Sequence, residues 1–150
     1  MRATLQAVQR GWRRSDDGSA ALETVVLAPP MLALIALAVI GMRIEVAAGA
    51  IEAAAHDAAR SASISRNAAD AQANAAATAN ASLTNQGLSC QPNVVVNTSG
   101  FALEVGTPAT VSVQISCNVT FSDIAAPGMP GSRMLQATFV SPLDWYRARQ

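Results

Sequence analysis

Hydrophobic and polar positions change their spacing twice along this chain. From Ala20 to Met42 the residues are apolar or small except for Glu23 and Thr24, and Thr24–Met42 is 19 residues without a charge. As helix that run measures about 28 Å, close to the roughly 30 Å hydrocarbon core of a bilayer. The pattern predicts a membrane-spanning helix, since the alternative, a buried helix of a soluble protein, rarely runs so long uncharged. Arg10, Arg13 and Arg14 precede the run, while Arg43 and Glu45 offset each other after it. A cationic flank on the N-terminal side orients the span with its N-terminus in the cytoplasm and residues 43–150 outside.

Beyond the span, 18 of the 35 residues 47–81 are alanine. Ile44, Ile51 and Ile64 supply a narrow apolar seam, and Glu52, His56, Asp57, Arg60, Arg66 and Asp70 are the charged or titratable positions. Alanine at this density favours helix over a disordered linker. With no proline between Met31 and Gln91, one continuous helix is expected from the span to about Asn80. Asn80, Asn85 and Gly87 are the stop signals. Its small side chains would let a neighbouring helix approach closely.

After Gly87 the period becomes two. Val111, Val113, Ile115, Cys117, Val119 and Phe121 alternate with Thr110, Ser112, Gln114, Ser116, Asn118 and Thr120. Such alternation predicts an antiparallel strand with one buried and one wet face. Phe101, Leu103 and Val105 alternate as well, and Gly106-Thr107-Pro108 reads as a turn back into the long strand. Val94–Val96 and Leu135–Val140 are further strand candidates, and Pro127–Gly131 is a loop. The expected fold is α+β: a long N-terminal transmembrane helix continuing into an alanine-rich helix, packed by an antiparallel sheet of three or four strands. The expected parts are a leader at 1–18, a span at 19–43, the alanine-rich helix at 44–82 and a small sheet domain at 83–150.

Composition sharpens this picture. Hydrophobic residues make up 51% of the 150 but aromatics only 4%, and 32 residues are alanine. Ten arginines balance ten acids with no lysine; that neutrality argues against nucleic acid as a partner. The zero is itself a sum. Residues 1–18 carry four Arg against two Asp, and the remainder carries six Arg against eight acids. Charged residues are 13%, about half the usual share, which points to lipid or subunit packing.

Little in the chain looks like reaction chemistry. Cys90 and Cys117 are the two cysteines. In an oxidising compartment they are expected to pair, tying the start of the sheet to its long strand; two buried thiols are the alternative. Without paired histidines they do not make a zinc site. His56 lies one helical turn after Glu52, an ordinary solvated pair. Phosphate-cradling glycine loops, nucleophile elbows and paired-carboxylate signatures are absent from the sequence. Asp123 and Asp144 read as turn or cap residues. Asn80-Ala-Ser82, Asn97-Thr-Ser99 and Asn118-Val-Thr120 match the glycosylation triplet and are assigned no role. The expectation is therefore no enzyme, no metal, no cofactor and no small-molecule substrate. Glu23 stands apart. An acid in a span costs up to roughly 2.5–3.5 kcal/mol at the bilayer centre and less near the edge. It needs a positive partner from outside the span, or it snorkels to the headgroups.

Gly18-Ser19-Ala20-Ala21-Leu22-Glu23, then Val25-Val26-Leu27-Ala28-Pro29 and a leucine-rich run, resembles the N-terminus of TadE-like pseudopilins. These are minor components of the tight-adherence (Flp, type IVb) pilus machinery. Pro29 matches the family's usual proline, and Pro30 is an addition. The tail from Cys117, with Asp123-Ile124, Pro130-Gly131-Ser132-Arg133, Pro142-Leu143-Asp144 and Tyr146-Arg147, looks like actinobacterial members. The resemblance implies a pilin-like fold and cleavage by a prepilin peptidase between Gly18 and Ser19. Glu23 would then be the fifth mature residue, set to meet the free amine of Ser19 on a neighbouring subunit. The implied partners are other pilin or pseudopilin subunits, the prepilin peptidase, the pilus assembly platform and membrane lipid. The implied place is the cell membrane, single-pass, and an extracellular pilus. A different reading is a secreted or signal-anchored small β-rich binding protein, with Ala48-Gly49-Ala50 as the cleavage site. The apolar run is too long for an ordinary signal peptide. Arg13-Arg14 suggests a twin-arginine signal, but Ser15-Asp16-Asp17 continues it poorly.

Overall fold

A computed structural model describes the backbone of residues 2–124, 128 and 130–146, with side chains from Ala21 onward in those bounds, Asp123 and Ile124 excepted. The protein is α+β and falls into two units, Met1–Ile40 and Gly41–Gln150. Helix α1 runs Arg2–Ser63 and helix α2 Ala68–Asn85. Strands β1 (Asn93–Asn97), β2 (Thr110–Thr120) and β3 (Ser132–Pro142) form one antiparallel sheet in that order. A 3-10 turn at Ser99–Ala102 follows β1, and a single-turn helix α3 at Phe121–Ile124 follows β2.

The continuous helix expected to reach Asn80 does not form. Three serines and an asparagine interrupt it. Ser63 Oγ donates to the Arg60 carbonyl at 2.8 Å, and Ser65 Oγ donates to the Ser61 carbonyl at 3.2 Å. Side chains that bond to nearby backbone compete with helix propagation. Asn67 then caps a new helix: its backbone is extended, and its Oδ1 accepts from the Asp70 amide at 2.8 Å. Asp70 Oδ2 accepts in return from Asn67 Nδ2 at 2.9 Å. The chain reverses here. Asn74 bonds to Ser65, Thr78 to Ser61, Ser82 to Asp57 and Gln86 to the Ala50 carbonyl. The partners retreat along α1 as α2 advances, so the two helices are antiparallel. The reversal buries what a single rod would leave wet: Ala54, Ala58 and Ala62 of α1, and Ala71, Ala75, Ala79 and Leu83 of α2. Alanine every fourth residue on α2 lets the helices close together, and that packing outweighs helix propensity. The stop at Gly87 is as expected. With φ +75°, Gly87 donates to the Thr84 carbonyl while Leu88 donates to that of Leu83, both at 3.0 Å. These are the two bonds of a Schellman C-cap, which needs a left-handed residue.

The long strand obeys its alternation. Val111, Val113, Ile115, Cys117 and Val119 of β2 are buried, while Gln114 and Asn118 are exposed on the other face. β1 matches the expected Val94–Val96, and β3 extends past the expected Leu135–Val140 at both ends. Two expectations fail. Phe101, Leu103 and Val105 are not a strand; they lie in and after the 3-10 turn, where the Thr107 amide donates to the Glu104 carbonyl at 3.1 Å. A central strand has only two edges, and β1 and β3 occupy both edges of β2. Phe121 leaves the strand to begin α3, half-buried, its amide bonded to the Gly131 carbonyl.

One core joins the sheet's inner face to both helices. It includes Ala47, Ile51, Ala54, Ala58 and Ala62 of α1, Leu83 of α2, the inward residues of β2, and Leu135 and Leu143. Gly100 is buried against this layer, and a β-carbon there would collide with the Thr110 carbonyl oxygen and come within 3.1 Å of Leu143 Cδ1. Backbone cannot yield cheaply, so Gly100→Ala should destabilise the unit by about 1–3 kcal/mol. Urea denaturation followed by circular dichroism checks this; an unchanged midpoint would show that the 3-10 turn shifts freely.

Candidate functional site

The features that bear on function lie in both units. Within Met1–Ile40, the side chains of Leu22, Val25, Leu27, Leu32, Leu34, Ile35 and Leu37 are all exposed. The helix Ala21–Ser63 is long and apolar enough to cross a membrane; its apolar window has a mean hydropathy of 2.5, with none of it buried. A soluble protein rarely leaves so large an apolar surface uncovered. Pro29 and Pro30 lie inside the helix. Each lacks an N–H, so the carbonyls of Val25 and Val26 lose their partners four residues on. Glu23 is exposed two and three residues before these carbonyls, and among the described residues it has no ion pair. Gly18 and Ser19 lie outside the residues whose side chains are described.

Within Gly41–Gln150, Cys90 and Cys117 form a disulfide, their Cα atoms 6.1 Å apart. Cys117 is buried on the core face of β2, toward the strand's C-terminal end, and Cys90 approaches from the segment that leads into β1. The bridge thus pins the α2–β1 connection to the central strand.

His56 does not pair with Glu52. Its Nδ1 lies 3.5 Å from Asp57 Oδ1, and its ring meets that of Phe139 on β3 edge-on at 4.5 Å. The ring contact joins His56 to β3, and Asp57, its neighbour on α1, stands where the spacing suggests Glu52. A cleft of about 520 Å³ lies beside it, lined by Gly49, Glu52, Ala53, His56, Thr138 and Phe139. Among the described residues no three His, Cys, Asp or Glu side chains converge as a metal site would require.

Asp144 takes the turn role expected of it: its Oδ1 accepts from the Tyr146 amide at 3.0 Å. The side chain of Asp123 is not among those described. Asn97 Oδ1 accepts from the Ser99 amide at 3.0 Å and Asn80 Nδ2 donates to the Ala76 carbonyl at 2.8 Å, so two of the three triplet asparagines make local bonds.

Two surfaces escaped the sequence reading. Where α1 gives way to α2, Ile64, Trp145 and Tyr146 are exposed around a cleft that also includes Leu143 and Asp144. The only sequence signal was an adjacent Trp–Tyr pair in a chain poor in aromatics. At the start of the unit, a groove of about 300 Å³ opens between α1 and the end of α2, lined by Met42, Arg43, Val46, Ala47, Gln86 and Leu88. No periodicity joins residues 46 and 88, so only the helix reversal could reveal it.

Comparison of the chain with family models, with curated proteins and with solved structures finds no match.

Proposed function

We propose that this protein is a membrane-anchored minor pseudopilin, similar to TadE-like members, that takes part in assembling a tight-adherence type pilus. The carrying observation is the helix after Ala21, with none of its apolar window buried, and Glu23 in its first turns without an ion pair among the described residues. An apolar helix with nothing packed on it is suited to lipid. An acid near its start is suited to a positive group brought by another subunit.

In this reading the chain inserts with its N-terminus in the cytoplasm and the Gly41–Gln150 unit outside. The prepilin peptidase removes residues 1–18, and the new Ser19 amine of one subunit pairs with Glu23 of the next. A charge pair in lipid is directional, because either partner left alone is costly, and it sets the stagger between neighbours. The disulfide Cys90–Cys117 suits an oxidising compartment outside the cytoplasm. Exposed Ile64, Trp145 and Tyr146 offer apolar surface to further pilus components.

The competing signal-peptide reading meets a structural objection. Ala48-Gly49-Ala50 lies within α1, and Ala50 and Ile51 are core residues. A cut there would sever a helix inside the core.

The expected result, with the cognate prepilin peptidase present, is a membrane-bound chain beginning at Ser19. Intact-mass spectrometry of the membrane fraction checks it. A start near Ile51, or the Met1 form alone, would remove the pseudopilin reading.

A further inference from the structure

The groove at the start of the Gly41–Gln150 unit combines three properties. Its floor is small: Ala47 and Ala50 are buried there, where larger side chains would have filled the space. Its apolar rim is uncovered, with Met42 68% and Val46 69% exposed on α1 and Leu88 opposite, at the cap of α2. Its one charged lining residue is Arg43.

Among the described residues Arg43 meets no acid. Positions three and four away along the helix are Val39, Ile40, Val46 and Ala47, and Glu45, two residues on, lies on a different face. Arg43 takes no part in the ion pair that joins His56 and Asp57. Beside Arg43, Gln86 Nε2 donates to the Ala50 carbonyl at 3.3 Å and to Ser82 Oγ at 3.2 Å. Its amide oxygen takes no part in those two bonds. The groove also falls at the end of the apolar run. Met42 and Val46, one turn apart on α1, both line it, where that run ends in sequence.

We propose that this groove holds one phospholipid of the leaflet that faces the unit. The lipid phosphate meets the Arg43 guanidinium, which presents a fork of donors suited to phosphate oxygens. The upper part of an acyl chain lies over Ala47 between Met42, Val46 and Leu88. A cation beside an apolar trough, where an apolar helix ends, is complementary to a molecule that is anionic at one end and aliphatic at the other. The occupant seals the apolar rim and gives Arg43 its counter-charge. The proposal rests on the membrane-anchor part of the function above, and not on leader cleavage.

The test uses the full chain in nanodiscs that contain phosphatidylglycerol carrying a photoreactive diazirine high on one acyl chain. Residues of the span will be labelled in any membrane helix, so Leu88 is the informative position. The expected result is labelling at Leu88, reduced about fivefold by Arg43→Gln, the loss one cation at a bilayer surface produces. Val46→Ser, at an exposed position that leaves the core alone, should reduce it as well. Labelling confined to residues 22–39, or labelling of Leu88 unchanged in Arg43→Gln, would each overturn the lipid site. Carbonate washing of cell membranes that carry the same chain separates the two failures. A chain that resists extraction with Leu88 unlabelled loses the groove and keeps the anchor, whereas a chain that is extracted loses both.

Discussion

Removing the Cys90–Cys117 bridge should lower the unfolding free energy of the Gly41–Gln150 unit by about 3.5 kcal/mol. The two cysteines are 27 residues apart, and closing a loop of that size removes entropy from the unfolded ensemble, raising its free energy by about this much in the chain-entropy picture. The loss matters because the core is thin. Of its largest fully buried side chains, only Ile51, Leu83 and Ile115 are as big as leucine, and the rest of the helix–helix seam is alanine. Domains of this size hold roughly 5–15 kcal/mol in all, so the unit without its bridge sits near the threshold of folding. Urea unfolding of the full chain in detergent, oxidised against reduced, measures the bridge without altering any side chain. Cys90→Ala should match the reduced protein, since Cys90 is only half-buried. Cys117→Ala should fall below it, because Cys117 is 1% exposed and its removal also leaves a cavity. A difference under about 1 kcal/mol between the oxidised and reduced forms would mean that helix and sheet hold together without the staple.

Glu23→Ala should leave membrane insertion intact and reduce incorporation into pili by at least about tenfold, a loss of 1.4 kcal/mol or more per subunit contact. The two effects have opposite signs for one reason. Deleting an acid from an apolar helix removes a desolvation penalty, which favours insertion. It also removes the only carboxylate between Asp17 and Glu45, the one group on the span that could pair with a neighbour's amine. Glu23→Gln should behave like Glu23→Ala if charge is what matters, and Glu23→Asp should retain part of the activity. Quantitative immunoblotting of the carbonate-resistant membrane fraction against the sheared extracellular fraction reads both effects in one culture. Equal incorporation of Glu23→Ala and the unaltered chain would refute the intersubunit pair.

The period-two strand was legible because its determinants are local. The inward set Val111, Val113, Ile115, Cys117 and Val119 needs only one buried face, and any sheet that covers that face selects the same residues. The apolar helix was legible for a similar reason, since length and the absence of charge are properties of the run itself. The failures lie where two distant segments compete. Phe101, Leu103 and Val105 alternate as well as a real strand does. Yet β1 and β3 already hold both edges of β2, and occupancy of an edge is not written in any one segment. The helix break was written locally, in Ser61-Ala-Ser63-Ile64-Ser65-Arg66-Asn67 and the Asn67–Asp70 cap, but alanine on both sides masked it. Propensity alone favours one helix. The free energy of burying Ala71, Ala75, Ala79 and Leu83 against α1 favours two.

The sequence by itself therefore determined the apolar run, the acid at Glu23, the alternation of β2 and the two cysteines that could pair. Each depends on spacing within one segment or on residue type alone. Tertiary structure decided where the alanine seam folds back, which candidate strands win a place in the sheet, and that His56 turns to Phe139 instead of Glu52. It also brought Arg43 beside Leu88 and exposed the Trp145–Tyr146 pair. These are outcomes of burial and of competition for a limited number of partners, and both are settled only when the whole chain has packed.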